Sequence, residues 1–153
     1  MLETPHVLVG AAIATKIGNP ALALPLALGS HFILDLVPHW NPHLYTETQK
    51  FGKPSKKSTF IAIADASLAL ILGSLIALKA LPNVTQTITI LIACLVSILP
   101  DLVEGPYYFL NLKSEIVHKW ILWHRSYQSN GDFYFGIISQ LLIISASIWW
   151  ILN

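Results

Sequence analysis

One stretch gathers most of the chemistry in this chain: Leu28-Gly-Ser-His-Phe-Ile-Leu-Asp-Leu-Val-Pro-His-Trp-Asn-Pro-His43. His31 and Asp35 stand four residues apart, so on a helix they stack on one face, about 40° from each other. Pro38 disfavours helical geometry at Val37, and a helix running from about Ala21 is expected to stop there. An imidazole and a carboxylate one turn apart can share a metal ion. The same pair can also satisfy itself inside a helix bundle. His39 and His43 follow in a loop with prolines on either side, which leaves their direction open.

Other residues of the same chemical type are spread along the chain. His6 follows Thr4-Pro5. Asp65 lies inside a long apolar run. Asp101 and Glu104 follow Pro100. His118 and His124 are six residues apart, about 120° around a helix, so both reach one site only if the helix ends or bends between them. Mixed imidazole and carboxylate ligands suit zinc, with manganese as the alternative. Several of them together can hold two or three ions, which lower the pKa of bound water and polarise a phosphoryl oxygen. The candidate metal ligands are therefore His6, His31, Asp35, Asp65, Asp101, His118 and His124. Asp101 and Glu104 are the candidate catalytic carboxylates that orient the attacking water.

The elements that must position these groups are apolar helices. The chain has 153 residues, of which 54% are hydrophobic and 11% charged, against roughly 25% charged in a soluble domain. Mean hydropathy is +0.62. This is the composition of a single helical membrane domain over residues 1–153, bound by membrane lipid. A net charge of +1 gives no electrostatic reason to expect nucleic acid. The only cysteine, Cys94, sits in an apolar run and offers neither a disulfide framework nor a thiolate zinc site. No cleavable leader is expected, since Glu3 stands where a basic region would.

Strand-like alternation is absent, so the expected class is all-α, a bundle of about five to six helices. Thr4-Pro5 reads as a helix start, with Thr as cap and Pro at the first helical position. Asn19-Pro20 repeats that signal before the helix that carries His31 and Asp35. These first two helices are too short, or marginal, to span a bilayer, and are expected to dip into it or pack beside the true spans. Residues 38–57 read as a polar loop. Ser58 and Asn83 are expected to cap two long apolar runs, 59–80 and 84–103, with Pro100 kinking or ending the second. Residues 107–125 have the pattern of a helix at the membrane surface. Asn130 is expected to cap the last run, Asp132 to Leu152.

Lysines 50, 53, 56 and 57 lie before the first long run, and Lys113, Lys119 and Arg125 before the last. Two spans separate these groups, which puts both on one side, the cytoplasmic side under the positive-inside rule. That topology draws almost every candidate ligand into one layer near the cytoplasmic helix ends. An acid inside an apolar span costs a few kcal/mol unless paired, so Asp65 and Asp101 need partners there. The competing reading of this layer is a non-catalytic helical membrane protein whose buried His and Asp residues tie helices together.

Several of these motifs resemble those of one family. Leu28-Gly-Ser-His-Phe-Ile-Leu-Asp35 resembles the Gly-x-x-His-x-x-x-Asp segment of the bacterial membrane-bound metal-dependent hydrolases. Ser97-Ile-Leu-Pro-Asp101 resembles their Pro-Asp motif, His124-Arg125 their His-Arg motif, and Thr4-Pro-His-Val-Leu-Val-Gly10 their N-terminal histidine before a small-residue helix. The chain differs where the family has Pro-Asp-x-Asp-His, here Pro100-Asp-Leu-Val-Glu104, and where it has a second histidine after His-Arg, here Ser129. More distantly, the family is similar to the zinc-dependent phospholipase C and P1 nuclease group. The resemblance implies a phospholipase C-like helical core, metal-dependent hydrolysis of a phosphoester such as a lipid headgroup, and residence in the bacterial inner membrane.

Overall fold

Small residues and apolar faces decide which helix lies in the middle. The computed structural model describes residues 1–153. They form α1 (Glu3–Ile17), α2 (Pro20–Asp35), α3 (Leu44–Phe51), α4 (Lys56–Leu78), α5 (Val84–Ser97), α6 (Leu99–Leu102), α7 (Gly105–Phe109), α8 (Glu115–Tyr127) and α9 (Phe133–Leu152). The class is all-α, with one isolated bridge between His39 and Asn130 in place of any sheet. Nine helical segments exceed the expected five to six. The supposed loop 38–57 contains α3, and Pro100 and Pro106 divide the segment after α5 into the short α6 and α7.

α1 is the axis of the bundle and packs against α2, α4, α5 and α9. Val7, Leu8, Ala11, Ala12 and Ala14 on it are buried. Gly10 brings α1 against α5, because a Cβ there would come within 2.8 Å of the Ala93 carbonyl oxygen. The first two helices therefore pack among the longer ones, one of the two arrangements expected for them.

α4 and α9 are long and apolar enough to cross a membrane. Much of their surface faces outward: Phe60 is 73% exposed, Leu70 72% and Leu142 65%. Contiguous exposed apolar surface is the mark of a face that meets a membrane or another protein. α5 and the α6–α7 segment together make a third candidate span, bent by 55°. The bend falls where Pro100 lacks the N–H that a continuous helix would use, and it carries Asp101 and Glu104 toward the interior of one end of the bundle.

The helix ends obey local chemistry, with some shifts from expectation. Asn19 accepts from the Ala21 amide at 3.0 Å and Asn83 from the Gln86 amide at 3.0 Å, as side-chain caps do. α4 is capped by Ser55, not by Ser58, whose amide donates to the Ser55 hydroxyl at 3.2 Å. α9 is capped by Asp132, not by Asn130. α1 begins at Glu3, one residue before the expected cap Thr4, because its cap comes from another helix. Asp65 of α4 accepts from the Glu3 amide, from the Thr4 amide at 3.3 Å and from the Thr4 hydroxyl at 2.6 Å.

Candidate metal centre

Asp35 is the hub of the site, fully buried at the C-terminal end of α2. Six nitrogen-bearing groups surround its carboxylate. The Met1 ammonium pairs with Oδ1, with His6 Nε2 at 3.4 Å and His39 Nε2 at 3.9 Å from the same oxygen. His124 Nε2 lies 3.1 Å from Oδ2, Gln128 Nε2 3.3 Å and His31 Nε2 3.4 Å. His6, His31, His39 and His124 are all buried. They come from α1, α2, the loop after α2, and α8.

The outward nitrogens of three of these rings are fixed by acceptors. His31 Nδ1 is 2.8 Å from the Ser97 carbonyl oxygen, and His39 Nδ1 is 2.8 Å from that of Val37. A carbonyl oxygen only accepts, so each Nδ1 carries the proton and each Nε2 keeps its lone pair. His124 Nδ1 donates to Glu104 Oε1 at 2.8 Å. This is the outer-shell pattern that orients metal-ligating histidines, with carbonyl or carboxylate behind and Nε2 in front. His31 Nε2 and His124 Nε2 stand 3.1 Å apart. Two lone pairs cannot face each other at that distance without a proton or a cation between them.

In the metal-free protein the proton fills that gap on His124. Burial acts to lower the pKa of His124, but hydrogen bonds to Asp35 and Glu104, with the charges of Asp101 and Glu104, raise it to about 9. His39 goes the other way. Burial first, and the Met1 ammonium second, lower it to about 4. Its Nε2 is neutral and buried and has no hydrogen-bond partner. Such an orphaned acceptor costs about 1–3 kcal/mol, and an ion is the natural ligand for a lone pair beside a carboxylate.

Asp101 closes the cluster from the bent segment after α5. Its Oδ1 is 3.7 Å from His124 Nδ1 and its Oδ2 3.9 Å from His31 Nε2. Three ligand sets have all their donor atoms within 4.8 Å of one another: His6, His31 and Asp101; His31, Asp35 and His124; and Asp101, Glu104 and His124. Shared members make them one connected site. The donor set of imidazole and carboxylate fits zinc or manganese.

Five of the seven ligands expected from sequence thus converge: His6, His31, Asp35, Asp101 and His124. Two do not. Asp65 spends its carboxylate capping α1, where the amides of the first turn favour a negative charge. His118 lies six residues before His124 on the unbroken helix α8 and therefore points elsewhere. It stacks between Tyr45, at 6.2 Å between ring centres, and Tyr107, at 5.7 Å. Glu104, expected to orient water, holds His124 from behind through Oε1 and also lines the adjoining cavity. Sequence reasoning left the direction of His39 open. Its position is set by distant partners: its amide donates to the Ser129 carbonyl oxygen at 3.1 Å, and its own carbonyl accepts from Gly131 at 2.8 Å. Gly136 of α9 lets this loop approach, since a Cβ there would come within 2.7 Å of the His39 carbonyl carbon.

No protein-family model, no curated protein and no solved structure matches this chain.

Proposed function

We propose that this protein is a membrane-embedded, metal-dependent hydrolase of a phosphoester. The observation that carries the reading is the set of Nε2 atoms of His31, His39 and His124 gathered around Asp35 while an acceptor pins each Nδ1. Zinc is the first choice of ion and manganese the second. A divalent ion held there supplies a Lewis acid for a phosphoryl oxygen and lowers the pKa of water.

The side chains then divide the work. His6, His31, Asp35, His39 and His124 would hold the ion, and Glu104 would orient His124. Asp101 is 18% exposed and lines the adjoining cavity, so it can take a proton from the attacking water. The water oxygen bonds to phosphorus, the ester P–O bond breaks, and the proton passes to the leaving alkoxide. The resemblance to the bacterial membrane-bound metal-dependent hydrolases supports the same chemistry, a phospholipase C-like core and the bacterial inner membrane. Lys50, Lys53 and Lys56 precede or begin α4 at the end of the bundle that holds the site, which supports a cytoplasmic face.

One observation favours a second reading, a non-catalytic membrane protein with a structural polar layer. Without metal, Asp35 already meets the Met1 ammonium and His124. A turnover assay separates the two. Protein stripped with chelator and reloaded with zinc or manganese should hydrolyse a chromogenic phosphoester only when loaded, and Asp101→Asn should lose that activity. Absent turnover in the metal-loaded protein favours the structural layer, and metal-independent turnover would overturn the metal-dependent reading.

A further inference from the structure

A cavity of about 480 Å³ opens beside the metal-ligand cluster and shares Asp101, Glu104 and His39 with it. Its walls differ in chemistry. Arg125, the residue after His124 on α8, is part of the lining. The Arg125 guanidinium lies 4.5 Å from the centre of the Tyr45 ring and pairs with no carboxylate. An unpaired guanidinium beside a carboxylate-rich cluster is placed to bind an anion that also meets the metal.

The lining also includes the apolar side chains of Ile63, Leu102 and Phe109. These residues line the cavity and are solvent-exposed, at 59%, 43% and 44%. Ile63 belongs to α4, a helix long enough to cross a membrane, and Leu102 and Phe109 to the bent third candidate span. Apolar lining of the cavity is therefore supplied by the same helices that carry the apolar outer surface of the bundle. A substrate arriving from water would meet no need for such a wall, whereas the chain of a lipid could lie along it without leaving the bilayer.

Resting on the hydrolase reading, we infer that the substrate is a long-chain phosphoester of the membrane, entering sideways between α4 and the α6–α7 segment, with its phosphate clamped between the metal centre and Arg125. Arg125 is the specificity residue for the phosphate, and Ile63, Leu102 and Phe109 are those for the chain.

Phosphonates test this directly, because their C–P bond resists hydrolysis and binding can be read without turnover. Zinc content is measured first, on the full chain in phosphatidylcholine nanodiscs. Dodecylphosphonate and ethylphosphonate are then titrated against the zinc-loaded protein. The expected result is binding of dodecylphosphonate at least 10-fold tighter than ethylphosphonate, weakened at least 10-fold by Arg125→Gln and by Ile63→Trp, with zinc content unchanged in both variants. Equal affinity for the two phosphonates would overturn lateral entry and leave the hydrolase reading standing. Zinc-loaded protein that binds neither phosphonate, or binds dodecylphosphonate equally well in both variants, would also overturn it. A zinc-free wild type would remove the hydrolase reading itself, and this inference with it.

Discussion

Replacing His39 by leucine should act in opposite directions on the metal-free and the metal-bound protein. In the absence of metal, His39 contributes one hydrogen bond to the Val37 carbonyl and leaves Nε2 unsatisfied inside the fold. Losing the bond costs about 1 kcal/mol, and removing the orphaned acceptor returns about 1–3 kcal/mol. The net change lies within about 2 kcal/mol of zero and tends toward stabilisation. A chain of this size shifts its melting temperature by about 2–4 °C per kcal/mol. With metal, the same substitution deletes a ligand. Structural zinc sites bind with about 10–16 kcal/mol over four ligands, so one ligand is worth about 3 kcal/mol, or about 100-fold in affinity. Melting in chelator and competitive zinc titration measure the two quantities separately. Near-unchanged melting in chelator with about 100-fold weaker zinc binding is the expected pair of results. A loss of several degrees in chelator with unchanged zinc affinity would refute the assignment of His39 Nε2 as a ligand.

Other substitutions and a pH series follow from the same geometry. Asp65→Asn should destabilise the protein by about 1–2 kcal/mol through the N-terminus of α1 and leave metal content intact, as melting and elemental analysis would show. His118→Gln should likewise leave metal content unchanged, since its ring faces Tyr45 and Tyr107. Gly136→Ala should push the loop of His39 off α9 and lower both stability and zinc affinity, the latter read by titration. His124 has its pKa raised from 6.5 to about 9 in the metal-free protein. Its contribution to stability is full below pH 6.5 and is lost as pH rises through 9. His39, lowered to about 4, contributes above pH 6.5 and loses that contribution as pH falls through 4. Chelator-treated protein should therefore be most stable near pH 6.5 as far as these two groups decide it, and zinc binding at pH 7 should release about one proton from His124, measurable by calorimetry in buffers of different ionisation enthalpy.

Much of the helical framework was legible because its signals are local. Asn19-Pro20 and Asn83 cap the helices they precede, and Pro100 bends the chain where its missing N–H requires. The i, i+4 spacing of His31 and Asp35 was enough to put both on one face. What failed depended on partners far along the chain. Nothing near Thr4 shows that Asp65 of another helix will cap α1, so Asp65 read as a free acid in need of a metal. His118 shares its residue type with His124 but not its direction, because six residues on one unbroken helix separate them by about 120°. The direction of His39 follows from pairing with residues 129–131 and from the close approach at Gly136, neither of which leaves a mark in residues 38–43. α3 was missed because eight residues rich in polar side chains look like loop when the apolar face is only one turn or two long.

The central claim is that the four histidines around Asp35 are built to hold a metal ion and not merely to bind one another. Elemental analysis of the purified wild-type chain tests it most directly. The account predicts at least one zinc or manganese per chain, removed by Asp35→Asn and by His31→Ala. A folded wild-type protein that carries no transition metal and takes up none when zinc is supplied would contradict it.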